Sequence, residues 1–484
     1  MNIIVIIGTH SSVGKTTLAA TIGSILQNAN LSVEMLKFDG YFNYNAGTMN
    51  PYGKLPKNRF PNEEVIVTPD GWESDSDIGV YERFLFKKMY KKNNITNGEI
   101  IQEIVQLDKN FKKEGDVIFS RDIIDLFIKK ISTLGRKKKF VVLEVGGSID
   151  DYENILILKS INKLRKKNKI LIIFLSRIFF EENIPKTRLI RRHYDLFLNK
   201  NLPPNFIILR SQFDVNKKFL KKIARQSNLS VRNIFFIKDI DNIYELPVLL
   251  EKQNFSKKIF QFFNLKYSKP KLKVFKEYNK KYVKKRKMIK LLLSDNTESF
   301  ESYVSLINAI KDICVLNNLK AKIKIWERKK INIPPNGIIL TEPLNNKDTL
   351  IKYANKKKIP ILGISGGACS LLKFYDKKCK IMKTKEMTLG SKKIITEDIL
   401  RHIYKKRIIK EVNRHNYNIC NNYVNDKIKI LGKYCNGQNI CAFQIKNKNQ
   451  IGVLYHPEFN SNIKSPNPLL NYFILTCSSI QNKV

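Results

Sequence analysis

The stretch Gly8-Thr9-His10-Ser11-Ser12-Val13-Gly14-Lys15-Thr16-Thr17 follows the apolar run Ile3–Ile7, and it limits the possible fold more than any other segment. A short continuous apolar run reads as a buried strand, Gly8 opens a turn, and Lys15-Thr16 begins a helix. That order aims backbone N–H groups and a helix N-terminus at an anion, with a lysine placed to meet the outer phosphates. Five residues separate Gly8 from Gly14, one more than in the common phosphate loop. The chain is expected to bind a nucleoside triphosphate.

The rest of the chain repeats the pattern. Apolar runs at Ile3–Ile7, Phe140–Val145, Ile170–Leu175, Phe206–Leu209 and Ile234–Ile237 alternate with polar helical stretches, as strands of a parallel sheet covered on both faces do. Tyr267 to Met288 is lysine-rich and free of glycine, and reads as an exposed connector. Alternation then restarts at Ile289–Leu293, Ala321–Ile325, Gly337–Leu340, Ile359–Gly363 and Gly452–Tyr455. The expected architecture is two doubly wound, mostly parallel α/β domains, at 1–266 and 289–484, joined by a basic linker at 267–288. A chain of 484 residues is long enough for this.

Composition excludes several classes. The net charge of +45 invites a nucleic-acid partner, but the lysines are spread along the whole chain with Asn and Ile. Drift at exposed positions accounts for that spread, and a positive field also suits nucleotide substrates. All seven cysteines lie after residue 300, their number is odd and no CxxC pair occurs, which argues against disulfides or structural zinc and fits a reducing cytoplasm. No apolar run approaches the roughly 20 residues that span a bilayer. The N-terminal run is too short for a signal peptide.

Two acidic places stand out in so basic a chain. Asp70-Gly71-Trp72-Glu73-Ser74-Asp75-Ser76-Asp77 is one; Glu144-Val145-Gly146-Gly147, at the end of an expected strand, is the other. Open α/β sheets bind ligands at such strand ends, and magnesium takes one or two carboxylates plus phosphate oxygens. Asp77 and Glu144 are therefore candidate metal ligands, with a solvated acidic turn as the other reading of 70–77. In the second half, Gly363-Ile364-Ser365-Gly366-Gly367 joins an apolar run to an expected helix, as a nucleophile elbow does. Alone it suggests a serine hydrolase. Tyr455-His456-Pro457-Glu458-Phe459 sets histidine and carboxylate two residues apart near the C-terminus, which resembles class I glutamine amidotransferases instead.

Lys37-Phe38-Asp39-Gly40-Tyr41, Gly47-Thr48-Met49-Asn50-Pro51, Val67-Thr68-Pro69-Asp70-Gly71 and Gly79-Val80-Tyr81-Glu82-Arg83-Phe84 resemble the CTP synthase family in order and spacing, as do Glu144 to Ser148, Lys186-Thr187-Arg188 and Lys238 to Tyr244. The resemblance covers essentially the whole chain. It implies a ligase that makes CTP from UTP: ATP phosphorylates the uracil 4-oxygen, and ammonia displaces the phosphate. By position, Ser12, Val13, Gly14, Lys15, Thr16 and Thr17 would cradle ATP, with Asp77, and Lys238, Asp239 and Ile240 would lie at the adenine end. Lys15 and Lys37 would stabilise the transferring phosphoryl group, and Asp77 and Glu144 would hold Mg2+. Ser11, Asp151, Tyr152, Glu153, Lys186, Thr187, Arg188, Arg191 and Lys222 would contact UTP or CTP. Ser365, His456 and Glu458 would form the glutaminase triad. A homotetramer and a GTP effector are implied too.

The departures are informative. Thr16 replaces a family glycine, Asn62-Glu63-Glu64 replaces a His-Gly-Glu segment, and Arg188-Leu189-Ile190-Arg191 departs from the family continuation. The elbow carries Ser365 where the family has cysteine. A thiol near pKa 8.5 yields thiolate readily, while serine must lose its proton during attack. Cys369, one helical turn on, is expected to be core. The glycine-bearing oxyanion loop aligns with Leu340-Thr341-Glu342-Pro343, which has no glycine, and a glutamine-holding glutamate is missing before Glu386. Glutamine hydrolysis is therefore expected to be weak or lost, with free ammonia as the nitrogen source. Another phosphate-loop amidotransferase of the cobyrinate-amidating type and a DNA-binding phosphate-loop ATPase are the alternatives.

Overall fold

The computed structural model describes every residue except 50–63, 111–114, 295–299, 327–330, 332–333, 342–346, 421–424, 436–438 and 481–484. The chain forms two compact units, one of 1–49 and 80–279, the other of 50–79 and 280–484.

The first unit is built on seven strands in the spatial order Ile234–Lys238, Phe206–Ser211, Lys169–Arg177, Asn2–Gly8, Phe140–Ser148, Val33–Asp39 and Asn94–Thr96. Every pairing is parallel. The central strands are apolar on both faces because helices cover both. Ile3, Val5 and Ile7 join one core cluster with Phe127 and Phe174, while helix Lys15–Asn28 buries Leu18, Ala19, Ile22, Ile25 and Leu26. Asn2–Gly8 ends beside Phe140–Ser148, with Ile6 opposite Glu144 and a register break before Gly8 pairs Ser148. That places the phosphate loop next to Glu144.

Lys273–Tyr282, inside the stretch expected to be an exposed connector, is a helix. Phe275 and Tyr278 are buried in it, and Phe275 packs on Phe84 and Phe86 at ring distances of 5.9 and 5.7 Å. Aromatics three residues apart share a helix face and bury it whatever lysines surround them.

The main sheet of the second unit has, among the described residues, nine strands in the order Leu319–Ile325, Lys287–Ser294, Gly337–Leu340, Ile361–Ile364, Gln450–Val453, Asn439–Ile445, Ile408–Cys420, Ile381–Thr396 and Ile428–Tyr434. The first five are parallel. The rest pair antiparallel. Adjacent residues point to opposite faces: Ile339 and Leu362 enter one core cluster, Ile338, Leu340 and Ile361 the other.

Helix Val304–Leu316 has no side-chain cap of its own. Glu64 supplies one from far along the chain: its buried carboxylate accepts from the Ser305 N–H at 2.9 Å and the Ser305 hydroxyl at 2.8 Å. A carboxylate there also meets the positive helix end. Asn62 and Glu63, of the same departing segment, lie outside the described residues. Glu64→Ala strands two buried donors and is expected to destabilise the second unit by about 1–3 kcal/mol. Urea unfolding of the full chain measures this, and an unchanged midpoint would remove the capping role.

Candidate active sites

In the first unit the loop after Asn2–Gly8 uses two residues at positive φ, Ser12 at 61° and Gly14 at 105°. Gly14 immediately precedes the helix, and its conformation suits glycine. Lys15 is buried, its Nζ donating to the carbonyls of His10 at 2.9 Å and Gly147 at 2.6 Å. Gly147 has φ 65°, and any Cβ there would collide with the Asp151 carboxylate. This explains the Gly146-Gly147 pair at a strand end. Burial, then the nearby Lys15, holds His10 below the usual imidazole range.

Glu144, 1% exposed, is the hub. Thr16 donates to its Oε1 at 2.8 Å, Lys37 to the same oxygen at 2.9 Å, and the Tyr81 hydroxyl to Oε2. Lys37 stands directly opposite Glu144 in the neighbouring strand. Sequence reasoning had found Lys15, Thr16, Lys37 and Glu144 but not Tyr81. The available signal was the Tyr81-Glu82-Arg83-Phe84 segment, whose members all have internal work. Glu82 accepts from Lys88 and the Met89 N–H, Arg83 is buried, and Phe84 packs on Tyr244. Arg210 was missed as well; its Nη1 donates to the Val13 carbonyl at 3.2 Å.

The other expected ligands are placed less closely. Asp151 receives the Ser148 N–H at 2.7 Å, while Tyr152, Glu153 and Ser11 are exposed. Lys186 pairs with Glu181 at 2.8 Å within a small hairpin, and Thr187 precedes helix Arg188–Asn199, from which Arg188 and Arg191 project into solvent. Lys222 is exposed on helix Lys217–Gln226. No hydrogen bond or ion pair joins these residues to the phosphate loop among the described residues. Lys238 pairs with Asp214 at 2.6 Å, and Asp239 with Arg210 at 2.5 Å. Asp77 falls in the second compact unit, in the first turn of helix Ser76–Leu85, its N–H bonded to Asp75 Oδ1 at 3.0 Å. The acidic stretch before it is a structured hairpin: Ile66–Val67 pairs Glu73–Ser74, and Glu73 takes Arg414 Nε at 3.0 Å.

A magnesium ion needs hard oxygen donors and retains water and phosphate ligands. The Thr16 hydroxyl and the Glu144 carboxylate, meeting at 2.8 Å, offer that donor type. Among the described residues no group of three His, Cys, Asp or Glu is arranged to hold a metal.

In the second unit Ser365 joins strand Ile361–Ile364 to helix Gly366–Tyr375 at φ 52°, ψ −116°. A non-glycine residue there costs of order 1–3 kcal/mol, and such strain gathers at functional sites. Any Cβ on Gly367 would overlap the Leu340 carbonyl, so this glycine lets the elbow approach that strand. Ser365 N–H donates to Val453 O at 2.8 Å, which sets the elbow beside the strand leading to His456. His456 Nδ1 lies 2.8 Å from Glu458 Oε1. Ser365 Oγ, His456 Nε2 and Glu458 Oε2 are all buried and have no hydrogen-bond partner among the described residues. Cys369 sits in a core cluster with Ala368 and Leu372, as expected. Thr341, in the glycine-free stretch 340–343, donates its hydroxyl to Ser294 O at 2.7 Å; Glu342 and Pro343 lie outside the described residues.

Residues 1–265 match the family model for the CTP synthase N-terminus, and residues 298–476 match class I glutamine amidotransferase. The chain belongs to the CTP synthase family. Its relatives include the CTP synthase of Wigglesworthia glossinidia brevipalpis, 30% identical over 98% of both chains. The CTP synthase of Buchnera aphidicola is 28% identical over 96% of this chain and 95% of that one. That of Sulfolobus acidocaldarius is 28% identical over 99% of each. Likeness of this extent to CTP synthases disfavours the cobyrinate-type and DNA-binding alternatives. Among the described residues, no helix is long and apolar enough to cross a membrane.

One buried residue near His456 bears on stability. His415 lies 2.8 Å from the Tyr434 hydroxyl and 3.2 Å from Asn413 Oδ1. Burial above all, then the neighbouring His456, pushes its pKa down to about 3 from 6.5. The unfolded chain therefore binds one more proton than the folded chain between those values, and stability is lost as pH falls through that window. The slope is about 1.4 kcal/mol per pH unit. Urea unfolding from about pH 6 to pH 4 should show this slope reduced by about one proton in His415→Gln. An unchanged slope would rule out His415 as its source.

Proposed function

We propose that this chain converts UTP to CTP at the expense of ATP, with ammonia as the nitrogen donor. The carrying observation is the convergence of Thr16, Lys37 and Tyr81 on the buried Glu144, beside a phosphate loop whose lysine is held at the same strand ends. A carbonyl oxygen is a poor leaving group, so the uracil 4-oxygen is first phosphorylated and then displaced by the amine. In this reading the loop N–H groups and Lys15 hold the phosphates, and Lys37 offsets the charge on the phosphoryl group in flight. Thr16 and Glu144 would hold magnesium, for which Asp77 is the further candidate ligand, and the ion would neutralise phosphate charge when bound. Lys238 and Ile240 serve the adenine end, and Asp239 between them has its carboxylate engaged by Arg210 and Arg177. Ser11, Asp151 to Glu153, Lys186 to Arg188, Arg191 and Lys222 serve the pyrimidine nucleotide.

The functional halves are 1–266 and 289–484, with the second contributing little chemistry. Ser365 in place of cysteine and the lack of glycine in 340–343 both weaken glutamine hydrolysis. The family likeness supports a homotetramer and a GTP effector. The test incubates the full chain with ATP, UTP, magnesium and ammonium, and follows CTP. Steady CTP formation is expected; UTP left unconsumed would end the proposal.

A further inference from the structure

We infer that Asp239 is a positioning residue that acts through Arg210 on the phosphate loop. The inference rests on the triphosphate-binding reading of that loop and names a device that tunes it.

Arg177, Arg210 and Asp239 stand side by side at the carboxyl ends of three adjacent strands. Arg210 pairs with Arg177 across one ladder, and the Asp239 N–H bonds Ser211 O at 2.7 Å at the end of the other. The Asp239 carboxylate receives Arg210 Nε at 2.5 Å on one oxygen and Arg177 Nη2 at 3.2 Å on the other. With Nε fixed, the Arg210 fork extends to the loop, where Nη1 donates to the Val13 carbonyl at 3.2 Å. A Cβ on Gly14 would come within 3.1 Å of that same nitrogen, so the guanidinium occupies space that glycine leaves open.

The consequence follows from peptide geometry. In a planar trans peptide, C=O and N–H point in opposite directions. Holding the Val13 carbonyl toward Arg210 turns the Gly14 N–H to the opposite side of the loop. Gly14 has φ 105° and free access to other conformations, so nothing intrinsic to it fixes that direction. Arg210 supplies the constraint, Asp239 aims Arg210, and Arg177 shares the carboxylate. Lysine cannot replace Arg210, because one ammonium lacks the fork that reaches carboxylate and carbonyl together.

The test is a double-mutant cycle on full-length protein, read by calorimetric ATP binding and by the ATP and UTP KM values. Arg210→Ala is expected to weaken ATP binding about tenfold, the loss of one charge-assisted hydrogen bond. UTP KM and the unfolding midpoint should stay within error, and Arg210→Lys should not rescue. Asp239→Ala should weaken ATP binding by a similar factor, and the double variant should be no worse than Arg210→Ala. Additive losses would show that the two side chains act separately and would overturn the inference, as would unaltered ATP affinity in Arg210→Ala. Hydrogen exchange of residues 11–16 without nucleotide should be faster in Arg210→Ala; equal exchange counts against it. Failure to form CTP with ATP affinity intact would strike the synthetase reading and leave this one standing.

Discussion

Lys37→Met is expected to lower ammonium-dependent CTP formation by about 10²–10³ or more, the loss typical of removing one group aimed at developing charge. It should also destabilise the first unit. Lys37 and Glu144 meet at 2.9 Å with side chains 6% and 1% exposed, and breaking such a pair from one side costs about 3–5 kcal/mol because a carboxylate is left buried without its cation. The two effects separate in paired measurements. Lys37→Met/Glu144→Gln should recover most of the unfolding midpoint, whereas Lys37→Met, assayed well below its own unfolding transition, should keep the full loss of turnover, Glu144 being a proposed metal ligand whose variant cannot report activity. Full turnover by folded Lys37→Met would make Lys37 a structural ion-pair partner and no more.

The second large effect concerns nitrogen. CTP formation with glutamine is expected to run at least about 10²–10³ below that with ammonium, since loss of an oxyanion donor alone has this size. Ser365→Cys should raise the glutamine rate without reaching the ammonium rate. The elbow strain, the His456–Glu458 pair and the buried His456 Nε2 are all in place for a thiol, while the stretch 340–343 still lacks glycine. Paired assays with each nitrogen source decide the matter. Equal use of both by the unaltered chain, abolished by Ser365→Ala, would refute the idea that the glutaminase has lapsed.

Much of the architecture could be read from apolar runs, because strands covered on both faces write themselves as unbroken Ile, Val, Leu and Phe. Val33–Asp39 escaped that reading. It carries Glu34, Lys37 and Asp39, all buried and paired, in the middle of a sheet. The antiparallel strands Ile381–Thr396 and Ile408–Cys420 escaped for the opposite reason, since they alternate with lysine and asparagine on a half-exposed surface. At the site, Lys15, Thr16, Lys37 and Glu144 are legible because each sits in a recognisable segment, whereas partners outside such segments, or with no assigned role in them, are not. Tyr81 on Glu144, Arg210 on Val13 and Glu64 on Ser305 are joined only by folding, and no local spacing announces them.

The polypeptide passes from one compact unit to the other at 49–50, 79–80 and 279–280. Ile66 and Val67 lie in the core of the second unit with Val412 and Phe459, and Glu73 pairs with Arg414 there. A genome shedding the amidotransferase by a stop codon near residue 288 would bare that hairpin and leave Glu64 without its helix. The interleaved path thus shields the second unit from deletion: its chemistry could decay residue by residue while its body stays on as scaffolding for a segment encoded before residue 80.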